Sequence, residues 1–410
     1  MNLLLIHQYA GNKGDRAVAF AMSHMLKSLY PDANIVISTS SPDLWKGQEF
    51  FEKNNIRFVT SSWHFENLTG PYWALMRKFQ KYTFTILRTC YLKRCCHSLT
   101  RLFVNPEFYS AVKQADIVIS VGGHHFTTML SRDLVSEINY DTMAVALLGK
   151  PLICFSQSFG QVDFRNRKYK RLTTSLLAKF KALYAREPQA VDTLKALGLT
   201  MRNVHTTYES VISLNRLFPN YTPPSQREKR IGIAIYATQK REPEVHRNYV
   251  NSIARAVNRF NDDGFRVTFF PMELKGTGPD DRWLIDEIIS HVSNRDLTTC
   301  IDRDLPTYEH LQEVAKCRIF MGHKTHSTIF ALATGTPLLG IAYHPKTRMF
   351  MRQFDIEQFC IDDADLTTSA ILSRYESLLA DLDSIGTAIQ SKASQYAATI
   401  IDDFRCALQP

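Results

Sequence analysis

Residues 320–340 decide the fold class, and they read FMGHKTHSTIFALATGTPLLG from Phe320 to Gly340. A short apolar run typical of a buried strand is followed by a polar turn, an apolar helix, a Gly-Thr-Pro sequence and a second apolar run. Lys324 and His326 fall where the helix begins, at the carboxyl edge of the predicted sheet, where open α/β folds bind ligands. Because a helix N-terminus favours anions, the segment predicts a phosphate or carboxylate site. A surface loop with solvated basic residues is the competing interpretation.

The next strand-to-helix turn carries a further cation. Residues 341–347 read IAYHPKT, with Pro345 at a position suited to the first turn of a helix. Lys346 is therefore predicted at the same sheet edge as Lys324 and His326. Two consecutive turns that each deliver cations favour an anion site over a chance arrangement.

Length and composition bound the class of protein. A chain of 410 residues with 45% hydrophobic residues has material for two buried cores, so two domains of similar size are expected. The net charge of +9 favours anionic partners such as phosphorylated substrates or anionic lipid. The apolar start, MNLLLIHQ, is too short for a signal peptide and predicts a strand, and no apolar run reaches the length of a membrane span. The eight cysteines form no C-x-x-C pair, which indicates reduced thiols and a cytoplasmic protein.

Strand-like and helix-like segments alternate along both halves of the chain. A polar, proline-rich stretch near residues 218–230 separates them and predicts a linker. The predicted domains are an N-terminal one at 1–215, on the acceptor side, and a C-terminal one at 231–410, on the donor side and with terminal helices. The linker spans 216–230. Two doubly wound Rossmann-like domains facing a cleft are the expected α/β architecture.

Two glycine-containing turns follow predicted strands of the first domain. The first includes Gly11, Asn12, Lys13, Gly14 and Asp15, where Asp15 can cap the next helix. It fits neither the dinucleotide fingerprint nor the P-loop. The second turn reads Gly122-Gly123-His124-His125. Paired histidines suggest a metal, but no third ligand lies nearby in sequence, so a role in positioning a substrate hydroxyl or moving its proton is favoured over metal binding.

Arg186 follows the short strand predicted at 183–185. Such an arginine can bind a carboxylate or phosphate bidentately. A salt bridge to Glu187 or Asp192 explains it equally well from the local sequence.

Together these motifs resemble the polysaccharide pyruvyl transferase family over most of the chain. The most specific segments are 185–198 and 322–346. The positions that match the family's G-x-R-x-H, A-x-x-x-G-x-P and Y-x-x-K motifs are His326, Ala331, Gly335, Pro337, Tyr343 and Lys346. Lys324 stands where the family usually has arginine, which keeps the charge but loses the bidentate fork. The family's fold is similar to that of the two-domain GT-B glycosyltransferases.

The resemblance implies transfer of the enolpyruvyl unit of phosphoenolpyruvate to a sugar, which forms a cyclic ketal and releases phosphate. It implies that Arg186, Lys324 and Lys346 hold the donor anions and that His326 is the general acid or a phosphate ligand. Asp15, His124 and His125 are the candidates for the general base. The remaining predicted substrate-binding positions are Gly11, Asn12, Gly14, Gly122 and Gly123. The chemistry demands no metal, nucleotide or organic cofactor, and the expected partners are phosphoenolpyruvate and a sugar or lipid-linked oligosaccharide.

The tract from Arg77 to Arg101 is basic and rich in aromatic and aliphatic residues. Such a segment can lie on an anionic membrane, where lipid-linked acceptors are found. A helical hairpin with a solvated basic face is the alternative. Nucleic acid is a poor candidate because no recognised binding module accompanies the charge.

Two other functions remain open at this point. A GT-B glycosyltransferase with a nucleotide-sugar donor would need a carboxylate placed to bind the donor ribose in the second domain. The turns after Phe270 and Phe320 offer Glu273 and His323. A non-catalytic glycan-binding relative is the other alternative, because the lysine at 324 loses a bidentate contact.

Overall fold

The computed structural model describes residues 1–8, 13–66, 68–94, 100–123, 125–128, 136–160, 162–164, 167–274 and 280–409. The chain forms two compact units. The first comprises Met1–Ala10, Val18–Ser210 and Thr399–Pro410, and the second comprises Gly11–Ala17 and Val211–Ala398.

The first unit is built on a seven-stranded parallel sheet. Its strands are β1 (Asn2–Gln8), β2 (Asn34–Thr39), β3 (Arg57–Thr60), β4 (Ile117–Ser120), β5 (Leu152–Gln157), β6 (Ala182–Ala185) and β7 (Val204–Thr206). They lie in the order β3-β2-β1-β4-β5-β6-β7. The central strands are buried along nearly their whole length because helices cover both faces of a parallel sheet.

Nine helices, α1 to α9, are described between the first and last strands of this sheet. They are α1 (Lys13–Leu29), α2 (Glu49–Lys53), α3 (Pro71–Lys78), α4 (Gln80–Lys93), α5 (Thr100–Phe103), α6 (Pro106–Gln114), α7 (Ser136–Leu147), α8 (Arg167–Leu177) and α9 (Pro188–Ala196). The first residues of α1 belong to the second unit and the rest of the helix to the first. The core of the first unit lies between the sheet and these helices and includes Phe108, Tyr140 and Leu176.

The second unit repeats this plan with six parallel strands. They are β8 (Glu228–Ala234), β9 (Arg266–Phe269), β10 (Thr298–Cys300), β11 (Cys317–Gly322), β12 (Leu338–Ala342) and β13 (Cys360–Asp362), in the order β10-β9-β8-β11-β12-β13. The helices are α10 (Pro243–Asp262), α11 (Arg282–Ser290), α12 (Thr307–Ala315), α13 (Thr325–Ala333), α14 (Pro345–Gln353), α15 (Thr368–Ala380) and α16 (Leu382–Leu408). The prediction of two doubly wound Rossmann-like α/β domains is confirmed.

Each sheet has one point at which the strand order reverses direction. In the first unit it lies between β1 and β4, and in the second between β8 and β11. Crevices at such points are the usual ligand sites of open parallel sheets. The two turns singled out in the sequence, after β4 and after β11, both begin at these points.

The segment predicted as a linker, 216–230, is packed within the second unit. Ser225 donates its hydroxyl hydrogen to Asp383, at 2.5 Å, and the buried side chain of Arg227 donates to the hydroxyl of Thr336, at 2.8 Å. Strand β8 already begins at Glu228. The proline-rich composition suggested an exposed spacer, but the apolar surface of its prolines and tyrosine packs against α16 at Gly386.

The last residues of the chain also differ from the predicted boundary. Residues 399–410 belong to the first unit rather than to the second. Their anchor is the ring of Phe404, which lies 4.5 Å from the ring of Phe155 on β5. A periodic apolar pattern predicts a helix but not which core receives it.

No helix in the described part of the chain has both the length and the apolar character needed to cross a bilayer. The six described cysteines are free thiols.

Candidate functional site

The turn after β11 has the predicted strand–turn–helix geometry. Lys324 is the N-cap residue of α13 with an extended backbone, and His326 is the second residue of the helix. The first N–H groups and the positive end of the dipole of α13 are therefore at the point where these side chains leave the chain.

A small cavity of about 120 Å³ opens at this turn. It is lined by Gly14, Tyr236, Met272, Glu273, Lys324, Thr325, His326 and Tyr343, all in the second unit. The lining combines a cationic, an imidazole, a carboxylate and two phenol side chains. Such a mixture suits a small polar anion that must also exchange protons.

Lys324 is held by two carboxylates on this side of the sheet. Its Nζ lies 2.8 Å from Oδ1 of Asp281 and 3.3 Å from Oε2 of Glu273. Asp281 also accepts the backbone N–H groups of Met272 and Glu273, each at 2.9 Å. Burial raises the pKa of Asp281, and Lys324 opposes that shift. Lys324 thus fixes the loop after β9 at the cavity as well as bringing a charge to it.

His326 touches the glycine-containing turn at the start of α1. A Cβ atom added to Gly14 would lie 2.2 Å from Nδ1 of His326, far inside van der Waals contact. Only glycine at position 14 therefore leaves room for this imidazole. The predicted substrate position Gly14 and the predicted acid His326 are brought together, and Asp15 lies in the same first helical turn.

The N-terminus of α14 is a second helix start that carries a basic side chain. Pro345 occupies its first turn, as predicted, and Nδ1 of His344 accepts the backbone N–H of Lys346, at 3.2 Å. The Lys346 side chain is half-buried. Burial, and then the charge of Lys346, lowers the pKa of His344, which keeps this ring neutral and able to accept that hydrogen bond.

A buried histidine to which the sequence motifs assign no role, His323, contacts two tyrosines of the cavity lining. His323 is fully buried; its Nδ1 is 2.9 Å from the hydroxyl of Tyr249, and its Nε2 is 3.1 Å from Oδ1 of Asp363. Burial lowers the pKa of His323, and Asp363 opposes the shift only in part. The rings of Tyr236 and Tyr343, which line the cavity, pack edge-on against His323.

The first unit has its own cluster of predicted residues at the end of β4. A Cβ on Gly123 would lie 2.3 Å from Nε2 of His125, and one on Gly122 would lie 2.6 Å from the carbonyl oxygen of Ser156. The backbone contact therefore requires glycine at position 122, whereas a side chain at position 123 would displace the ring of His125.

Two residues near this cluster have a left-handed backbone, which is strained for residues other than glycine. They are His7, at the end of β1, with φ 66°, and Ser156, near the end of β5, with φ 56°. Nδ1 of His7 lies 2.8 Å from the hydroxyl of Ser120, and its ring lies 5.9 Å from that of His125. The sequence pattern predicts His7 only as the end of a strand, although a histidine at a switch point is a signal for a site residue.

Arg186 is buried and lies between acidic side chains. Its guanidinium donates to Glu209 and is 3.5 Å from Glu187, whereas Asp192 pairs with Lys195 instead. Ser158, on the loop after β5, donates its hydroxyl hydrogen to Glu187. The ion pair with Glu187 is one of the alternatives that the local sequence offers. The pair with Glu209 has no local signal, because it joins residues 23 positions apart.

Three predicted positions, Gly11, Asn12 and His124, lie outside the described residues. Among the residues that are described, no group of three or more His, Cys, Asp or Glu side chains is arranged to hold a metal ion.

Comparison with solved structures shows similarity along the whole chain. The UDP-GlcNAc 2-epimerase of Neisseria meningitidis, bound to UDP-GlcNAc, has a TM-score of 0.61 and 12% identity, with 100% of this chain and 99% of that chain covered. The Anabaena protein HepE, in complex with UDP and glucose, has a TM-score of 0.56 and 12% identity, with 100% and 99% covered. At this level of identity the likeness shows the fold, which is the GT-B-like fold expected from the sequence.

Sequence comparison is more specific. The amylovoran biosynthesis protein AmsJ of Erwinia amylovora is 20% identical over 293 residues, covering 68% of this chain and 69% of AmsJ. The family model described as polysaccharide pyruvyl transferase matches residues 12–345, a span that includes the turns after β4, β6, β11 and β12. Since this match covers most of the sequence, the chain belongs to the polysaccharide pyruvyl transferase family.

Proposed function

We propose that this protein transfers the enolpyruvyl group of phosphoenolpyruvate to two hydroxyls of one sugar and so forms a pyruvate ketal during polysaccharide synthesis. The family supports a transferase of polysaccharide biosynthesis. The observation that carries the finer proposal is the cavity at the N-terminus of α13, where His326 and Lys324 lie together.

The donor requires cations and a proton source. Phosphoenolpyruvate carries a phosphate and a carboxylate, and the start of α13 with Lys324 and His326 supplies positive potential to such a ligand. Lys346, at the start of the neighbouring helix, adds another cation. Lys324 shares its charge with Asp281 and Glu273, so we assign it a donor contact that these carboxylates weaken.

The reaction that we propose balances as follows. His326 gives a proton to the methylene carbon, which leaves positive charge on C2 of the donor. A sugar hydroxyl adds to C2 and loses its proton to a general base. The C2–O bond to phosphate then breaks, and phosphate leaves with the electron pair, which again leaves positive charge on C2. The second sugar hydroxyl adds to that carbon, and its proton passes to the departing phosphate. Stabilising charge at C2 and on the departing phosphate is the electrostatic task of the site.

The base has three candidates from the sequence, Asp15, His124 and His125, and the cavity adds Glu273. Glu273 lines the cavity, and its carboxylate lies 3.3 Å from the Nζ atom of Lys324. A carboxylate fixed by a lysine is well suited to accept a hydroxyl proton and return it. Arg186 keeps the donor-binding role implied by the family motif.

The test is release of inorganic phosphate from phosphoenolpyruvate by the purified protein, with and without a panel of lipid-linked glycans. We expect release that depends on an acceptor, together with a pyruvate ketal on the product by mass spectrometry. Consumption of a UDP-sugar in place of phosphoenolpyruvate would replace the proposal with glycosyl transfer. Glycan binding without turnover of either donor would indicate a non-catalytic relative.

A further inference from the structure

One surface of the first unit combines positive charge with exposed apolar side chains. Between Glu66 and Glu107 the sequence has no acidic residue. The basic residues in this interval are Arg77, Lys78, Lys81, Arg88, Lys93, Arg94 and Arg101. The interval contains α3, α4 and α5.

The same interval holds most of the chain's exposed large hydrophobic residues. Thirteen such residues are exposed in the described part of the chain, and seven of them lie here. They are Tyr72, Leu75, Phe79, Tyr82, Ile86, Leu92 and Leu102. Single exposed hydrophobics are normal, but a concentration of this kind marks an interaction surface.

Helix α4 shows why these side chains face outward. Its inner face is occupied by the buried residues Phe84, Leu87 and Cys90, which belong to the core of the unit. Tyr82 and Ile86 are one helical turn apart on the opposite face, and they are 67% and 41% exposed. One face of α4 therefore packs into the core of the unit, and the other is exposed. We call this outer face, with the exposed residues of α3 and α5, the basic apolar face.

The three helices are joined by side-chain contacts. The rings of Phe79 and Tyr82, at the junction of α3 and α4, are 5.7 Å apart. The hydroxyl of Tyr72 donates to the carbonyl oxygen of Leu102, which joins α3 to α5. Arg77 is used within this framework, because it donates to the carbonyl oxygens of Phe65 and Leu68.

The other described cations of this face have no carboxylate partner. Within the described residues, no ion pair involves Lys78, Arg88, Lys93 or Arg94, whereas Lys324 at the cavity of the second unit is paired with two carboxylates. An unpaired cluster of cations is free to meet an external anionic surface.

We propose that the basic apolar face binds the surface of an anionic lipid bilayer. Tyrosine and aliphatic side chains enter the interfacial layer, while lysine and arginine lie at the level of the headgroups. A second copy of the chain is a poorer partner because it would bring two positive faces together. RNA would use the charge but would leave the exposed aliphatic residues without a role. This inference concerns a surface outside the catalytic motifs and does not rest on the proposed reaction.

The test is sedimentation of the full-length protein with vesicles of phosphatidylcholine, with or without phosphatidylserine. Each cation near such a surface contributes a factor of about five to binding, so Arg88, Lys93 and Arg94 changed together to Gln should lower it about 100-fold. The control changes Lys113, Lys179 and Arg202 to Gln, which removes three exposed charges from elsewhere in the same unit. We expect the control to bind as the unaltered protein does, apart from a small loss due to net charge.

A second pair of changes tests the apolar part. Tyr82→Ser with Ile86→Ser alters two exposed positions and should leave the fold intact, but it should weaken binding at least tenfold even at high salt, where charge attraction is screened. Equal binding to neutral and anionic vesicles would overturn the proposal, as would equal losses in the basic triple variant and its control. Displacement by RNA but not by anionic vesicles would assign the face to nucleic acid, and loss of a dimer in the serine variant would assign it to a second copy.

Discussion

The Nζ atom of Lys324 lies 2.8 Å from Oδ1 of Asp281, a carboxylate whose side chain is only 1% exposed. This lysine stands at the family's usual arginine position and at the cavity, and it also neutralises a charge that the fold has buried. The donor contact that we propose and the neutralisation of Asp281 therefore involve the same side chain.

The first prediction concerns this pair. Lys324→Ala should weaken donor binding and lower the free energy of unfolding by roughly 3 kcal/mol, because it leaves the buried Asp281 without its cation. Lys324→Arg restores the common family residue and should retain activity. Denaturant unfolding and the KM for phosphoenolpyruvate are the measurements.

A double variant separates the two effects. Lys324→Ala with Asp281→Asn should recover much of the lost stability, since the uncompensated charge is gone, but should not recover donor affinity. If Lys324→Ala alone has the stability and KM of the unaltered protein, Lys324 is only a solvated lysine. Lys316→Ala, which removes an exposed lysine paired with Glu313, is the matched control.

The second prediction concerns the cations of the two other family motifs. Lys346→Ala and Arg186→Ala should each lower transfer at least ~100-fold, because each removes a charge-assisted contact to the donor. Arg186→Ala also leaves the buried Glu209 without its partner, so turnover must be expressed per folded protein. Lys346, on the half-buried start of α14, is the cleaner test. Near-normal turnover of either variant would remove that residue from the donor site.

The third prediction separates the two roles of His326. If it is the general acid, His326→Ala should depress turnover much more than donor affinity, and His326→Gln should restore binding without restoring rate. If it is a hydrogen-bonding ligand, the Gln variant should turn over at a rate close to that of the unaltered protein. In that outcome His124 and His125 would be the next candidates for the proton donor.

The fourth prediction uses the contact between Gly14 and His326. Gly14→Ala places a methyl group where the imidazole ring lies, so His326 must move out of position. We expect turnover to fall at least ~10-fold, since small misplacements of a reacting group are costly. The double variant Gly14→Ala with His326→Ala is the control, because the added methyl group should cause no further loss of turnover once the ring is absent. Unaltered kinetics for Gly14→Ala would show that the ring has other positions in which it works.

The fifth prediction concerns pH and the buried His310. Neither of its ring nitrogens has a hydrogen-bond partner among the described residues, and it packs against the rings of Phe270 and Phe330. Burial lowers the pKa of His310 well below its usual value, and burial also lowers the pKa of His323. As the pH falls below about 6.5, the unfolded chain takes up these protons before the folded protein does. Stability is thus complete above that pH and is lost on acidification.

His310→Phe should therefore stabilise the protein by about 1 kcal/mol, because it removes unsatisfied polar atoms from an aromatic pocket. It should also reduce the loss of stability below about pH 6.5. Denaturant unfolding on both sides of that pH measures both effects. His323→Phe should instead lower the free energy of unfolding above that pH, because it breaks the contacts with Tyr249 and Asp363. A destabilised His310→Phe protein with an unchanged pH profile would contradict the argument.

Much of the fold could be predicted because parallel strands and their turns have local signals. The apolar runs at β1, β4 and β11, the glycines of the turns and Pro345 at the start of α14 each carry the information in a few adjacent residues. Short edge strands such as β10 and β13 were missed, since three residues show no clear period. The packing of 216–230 against α16 depends on residues more than 150 positions away, which no local pattern reveals.

The candidate site was predictable to the same extent. Motifs located His326, Lys346 and Gly14, and the structure adds what surrounds them. That Lys324 is held by Asp281, or Arg186 by Glu209, depends on contacts between separate turns. The burial of His323 could not be predicted, because in sequence this residue resembles the exposed residues of a basic turn.

The final segment of α16 has a consequence for recombination between relatives. Phe404 packs on Phe155, and Lys181 donates to the carbonyl oxygen of Gln409, so residues near the C-terminus complete the N-terminal sheet unit. A chimera made by a single crossover near Ser210 would pair the first unit of one parent with a closing helix from the other. Exchange of the first unit between parents therefore requires at least two crossovers, so that residues 399–410 are inherited together with it.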